Sequence, residues 1–113
     1  MKKVMLLAVV LIGMVLVQGC MNMPTKVSQI SGIYVSPLKY QNYTCEQLSA
    51  EINSLSRREN TLVVAQTQRI KTSKLQAFMY GYGQGDGIEA AELATVKGEI
   101  EAVRKAMEEK NCK

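Results

Sequence analysis

The sequence contains no histidine. That removes the usual general base near neutral pH, and with it any Ser-His-Asp arrangement. Cysteine is scarce: Cys20, Cys45 and Cys112 are the three. They form no Cys-x-x-Cys pair, so dithiol redox chemistry has no motif. With no histidine, and with Cys45 and Cys112 standing alone, a zinc-type site has no ligand cluster in the sequence either. No cofactor and no metal are therefore expected. Net charge is small as well. Removing Lys2 and Lys3 takes the formal charge from +4 to +2, which gives no electrostatic case for a nucleic-acid partner. The glycines at 81–87 do not follow the Gly-x-x-x-x-Gly-Lys phosphate-loop pattern. Glu108 and Glu109 are adjacent and cannot share one helix face as a carboxylate pair.

The amino terminus carries more information. Lys2 and Lys3 precede a run with no charge from Val4 to Gly19. Its apolar core, Val4 to Val17, is shorter than the roughly 20 residues of a spanning helix and fits a signal peptide; an uncleaved anchor is the alternative. Leu16-Val17-Gln18-Gly19-Cys20 resembles a bacterial lipobox. The resemblance implies cleavage before Cys20, diacylglycerol on its thiol and a third acyl chain on the new amino terminus, a combination that anchors firmly. Residues 1–19 would then be the signal peptide. Met21, where inner-membrane lipoproteins often carry Asp, implies an outer-membrane anchor, on the periplasmic face by preference. The mature chain, Cys20 to Lys113, would have 94 residues, enough for one small domain.

With Cys20 on lipid, Cys45 and Cys112 remain. An even number in an oxidising compartment points to a disulfide, with two buried thiols as the alternative. Thr44-Cys45-Glu46-Gln47 fits a helical capping box. From there Leu48, Ile52, Leu55, Leu62 and Ile70 recur at helical spacing, interrupted by Glu59 and Gln66. The first helix should run from about Cys45 to the low seventies. Asp86, with Glu89 three residues on, reads as the cap of a second helix, Gly87 to Asn111, with its seam on Leu93, Val96, Ile100, Val103 and Met107. The glycine-rich stretch between them is a turn, so the helices form an antiparallel hairpin. Aligning the two seams sets Leu62 opposite Val96, Leu55 opposite Val103 and Ile52 opposite Met107; the same register brings Cys45 beside Cys112.

The expected fold is therefore all-α: a two-helix hairpin over 44–113, clamped by one disulfide, behind an irregular tether over 20–43. Ile33-Tyr34-Val35 should make a short extended piece against the hairpin. The clamp is expected near the lipid, with the glycine tip pointing away. Two stretches, Tyr40 to Glu51 and Ala91 to Glu99, together with Asn111-Cys112, resemble a group of small proteobacterial lipoproteins. That resemblance implies the helical-hairpin architecture and no activity.

Two surfaces are candidates for binding a partner. The first is the tip, where Phe78, Tyr80 and Tyr82 sit among glycines beside Met79; the alternative is that Phe78 and Met79 close the hairpin core. The second is a stripe of small residues, Ala91, Thr95, Gly98, Ala102 and Ala106, nearly opposite the seam. There another helix, from a partner or a second copy, would approach closely; plain exposed alanines are the alternative. The function expected is that of a non-enzymatic lipoprotein, held to membrane lipid through Cys20 and docking to an envelope protein or to itself. One alternative is a cell-wall link through Lys113, by resemblance to the terminal lysine of the major murein lipoprotein. Cys112 would hold that lysine back towards the membrane. A remote alternative is an enzyme: Ser36-Pro37-Leu38-Lys39 matches the Ser-x-x-Lys motif of penicillin-recognising enzymes, without that family's partner motifs or size.

Overall fold

A computed structural model describes residues 1–17 and 22–112. Among these residues three α-helices follow in order: α1 (Lys2–Val17), α2 (Cys45–Tyr80) and α3 (Ile88–Glu109). Among the described residues no helix is long and apolar enough to cross a membrane. The lipid-modification residue Cys20 lies outside the described residues, as does Lys113.

α2 begins where the capping box places it. Thr44 Oγ1 accepts from Gln47 N, and Gln47 Oε1 accepts from Thr44 N. The helix runs about two turns beyond the expected low seventies because nothing stops it there: Lys74-Leu75-Gln76-Ala77 are good helix formers. It ends at Gly81, whose φ of 87° lies in the left-handed region that glycine adopts without a Cβ penalty. α3 ends when Asn111 takes a positive φ, which turns the Cys112 N–H onto Met107 O. This turn delivers Cys112 to Cys45, and the disulfide closes there with Cα atoms 5.5 Å apart.

The hairpin register is the one legible in the two seams. Leu48, Leu55 and Leu62 of α2 are buried with Leu93, Val96, Ile100 and Val103 of α3, and Ile52 and Met107 pack against them. α3, however, is buried on two sides: Gly98, Ala102 and Ala106 are covered as fully as the seam. Their cover is the segment before α2. It consists of a short 3-10 turn at Val27–Gln29, an extended stretch through Ile33, and a second turn at Pro37–Tyr40. We call it the strap. Ile33 N donates to Ala94 O, and Ile30, Val35 and Tyr40 join the core. The ring of Tyr40 is fully buried and meets Tyr43 edge to face.

The direction of the strap reverses one expectation. It starts at the glycine turn, where Asn22 lies against Gly83 and Gly85, and finishes at Thr44, beside the disulfide. The chain leaving Cys20 therefore enters the fold at the glycine tip. The clamped end is the remote one. With 36 residues in α2, the two ends stand about 50 Å apart.

Candidate functional site

The glycine tip is assembled around polar residues that the hydrophobic pattern passes over. Gln66 looks like a flaw in the seam, yet its side chain is wholly buried. Its Nε2 donates to Thr25 O at 2.8 Å and to Asp86 Oδ1 at 3.0 Å. Thr25 also donates to the Asp86 carboxylate, from its backbone N at 2.6 Å and from Oγ1. One node thus ties α2, the strap and the turn. Further along α2, buried Ser73 accepts from Gln84 N. Arg69 donates to Gln84 Oε1 and pairs with Glu89 at 3.2 Å.

Asp86 does not cap α3, contrary to its place in the sequence. The N-cap residue is Gly87, without a side-chain cap bond, because the Asp86 carboxylate is already occupied by Thr25 and Gln66. The Thr25 hydroxyl, ahead of the other contacts, holds the Asp86 carboxyl below the ordinary carboxylate range. A depressed folded-state pKa contributes stability that is present above the unfolded value and lost as pH falls through the folded one. Asp86→Asn should therefore cost about 1 kcal/mol at pH 7, at the modest end because the site meets solvent. Denaturant titrations of both proteins should show that difference shrinking as pH falls below about 4, where the unfolded carboxylate protonates, and vanishing once the folded carboxylate, with its lower pKa, protonates as well.

The small-residue stripe is not the open face expected for a partner or a second copy. Gly98, Ala102 and Ala106 are buried, while Ala91 and Thr95 remain exposed. The strap crosses α3 backbone to backbone at Gly32 and Gly98. A Cβ on Gly98 would collide with the Ile33 carbonyl, and one on Gly32 would come within 2.9 Å of Gly98 N. The close approach was readable in the residue types. The occupant was not, since an intramolecular strap and a foreign helix ask for the same small residues.

At the end of α2 the aromatic residues stay outside. Phe78 is 90% exposed, Tyr80 70% and Tyr82 61%, and Leu75, Met79 and Ile88 are also exposed. Phe78 and Met79 do not close the core, because Ser73 and Ala77 occupy the inward face of these last turns and the glycine turn folds back over them.

Nothing in the strap or its groove is set up as a catalytic pair. Ser36 Oγ caps the Pro37–Tyr40 turn by accepting from Leu38 N. Lys39 pairs with Glu99 at 3.2 Å, and that hydrogen bond raises its pKa, the opposite of what a lysine base needs. A groove of about 440 Å³ opens beside Ile30–Ile33 and is lined by Glu59, Lys97, Glu101 and Arg104. There Lys97 Nζ donates to Ile30 O at 2.8 Å, and Arg104 pairs with Glu101. These contacts hold the strap and the surface of α3. They do not activate a nucleophile.

No protein-family model, curated protein or solved structure matches the chain.

Proposed function

We propose that this chain is a lipid-anchored envelope protein without enzymatic activity, whose hairpin stands off a membrane and docks to another envelope protein. The lipobox-like stretch ending at Cys20 supplies the anchor, and its neighbour Met21 favours the periplasmic face of an outer membrane. The observation that carries the reading is the course of the strap. It fixes the entry point at Asn22 on the glycine turn and the disulfide at the opposite end, so an anchored hairpin presents its clamped end and outer helix faces to the periplasm. A fold stapled along its length by the strap, a polar node and a disulfide keeps its shape as a spacer or docking post.

Cys20→Ala should abolish acylation and leave the precursor uncleaved, as read by intact mass of the membrane-extracted protein. Normal processing of this variant would rule out the anchor. Gentle crosslinking in intact membranes, followed by pull-down, tests the docking half: recovery of the hairpin alone and monomeric ends that part of the reading.

The cell-wall link through Lys113 stands as a second reading, favoured by one observation. Cys112 lies at the end remote from Asn22, which removes the objection that the disulfide would hold Lys113 near the membrane. Purified cell wall that releases no hairpin peptide on digestion would end this reading.

A further inference from the structure

We infer that the glycine tip is a membrane-contacting surface, with the leaflet that holds the anchor as its occupant. The inference rests on the lipid anchor proposed above and adds an orientation and an interface to it. Three independent observations converge on that end of the molecule.

The first is where the chain enters the fold. Asn22 is seated on the turn so closely that a Cβ on Gly85 would fall 2.7 Å from its Oδ1. Cys20 is two residues earlier, and two residues of fully extended chain span at most about 7 Å. An acylated Cys20 must sit at the headgroup boundary, so the turn cannot be far from it. Along α2, Phe78 lies five residues past Ser73, which packs beneath Gly83; that is a further axial distance of about 7 Å. Together the two spans keep Phe78 within about 15 Å of the anchor along the molecule, inside the reach of one leaflet and its headgroups.

The second observation is what the tip exposes. Leu75, Phe78, Met79, Tyr80 and Tyr82 stand out in solvent together at the end of a helix whose inward face is already complete. Tyrosine and phenylalanine at the end of an element are suited to the headgroup layer, where an aromatic body meets acyl chains and a hydroxyl meets water.

The third is charge. Lys71 and Lys74 lie on the exposed side of α2 within two turns of Phe78, and they have no acidic partner among the described residues. Of the acidic groups at this end, Glu89 is paired with Arg69, while the Asp86 carboxylate is held by the neutral Thr25 and Gln66 and keeps its charge, so the two lysines outweigh it by one. What the tip offers a surface is therefore aromatic, aliphatic and cationic, which suits a bilayer containing anionic lipid. A protein partner at the tip would have to share this narrow space with the acyl chains.

The sequence has no tryptophan, so Phe78→Trp makes a single reporter at an exposed position where the substitution disturbs no packing. Ser49→Trp, exposed near the clamped end, is the control. Full-length protein processed in a bacterial host would be reconstituted into phosphatidylethanolamine–phosphatidylglycerol vesicles, with and without brominated acyl chains. Acylation of Cys20 would be read by mass on the same preparation. The expected result is acylated protein in which brominated lipid quenches the indole emission of Phe78→Trp about twofold or more, while that of Ser49→Trp is unaffected, as interfacial and water-exposed indoles behave. Tyr82→Trp should repeat the behaviour of Phe78→Trp. Acylated protein with unquenched, solvent-like emission at both tip positions overturns the inference and leaves the anchor standing. Blue-shifted but unquenched emission means that a second copy covers the tip, and also overturns it. Protein that carries no acyl group overturns the anchor, and this inference with it.

Discussion

Cys45→Ser should lower the stability of the folded chain by about 4 kcal/mol, the loop-closure value for a bridge spanning 67 residues. A loss of that size is a large share of what a domain this small holds in total. The bridge joins the first residue of α2 to the chain just past α3, where Asn111 has turned it inward. Without the bond the last turn of α3 is free to fray, and Met107 and Cys112, which pack against the core, lose their cover. Urea titration of the parent with and without reductant checks the size directly. The reduced parent should superimpose on the Cys45→Ser variant. Equal midpoints for oxidised parent and variant would mean that the bridge does not form or contributes nothing.

Gly98→Val is the other substitution with a large expected cost, about 3 kcal/mol. On helix propensity alone its sign would be the reverse, since glycine is the poorest ordinary residue in a helix interior and valine is somewhat better. Packing decides the outcome. The Ile33 carbonyl oxygen occupies the place where a Cβ would go, and Val35 Cγ2 stands close beside it. The strap must lift, breaking the bond from Ile33 N to Ala94 O and uncovering Ala102 and Ala106. Ala91→Leu, on the exposed part of the same stripe, should change stability by no more than about 0.5 kcal/mol. Thermal melting of the pair tests the assignment: a Gly98→Val melting point at or above that of the parent would show that the strap does not cross α3 there.

Taken by itself, the sequence determined the hairpin. Apolar spacing at three and four residues defined two seams, the Thr44–Gln47 box marked where α2 starts, and aligning the seams brought Cys45 to Cys112. These features are local or repeat along the chain, and periodicity carries them. What tertiary structure decided is the use of everything off the seams. The segment over 22–43 has no repeating pattern, so beyond the short extended piece at Ile33-Tyr34-Val35, which does lie against the hairpin, its course was not legible. It lies along α3 because Gly32, Gly98, Ala102 and Ala106 let backbone approach backbone, and because Thr25 finds Asp86 and Gln66 at the tip. Asp86 carried the signature of a helix cap, and Gln66 that of a seam defect. Each was settled by a partner more than fifteen residues away, which no local rule contains. The direction of the strap then placed the entry of the chain at the aromatic tip and the disulfide at the far end. A sequence specifies how many small residues make room for a neighbour; which neighbour arrives, and from which end, is fixed only when the chain closes on itself.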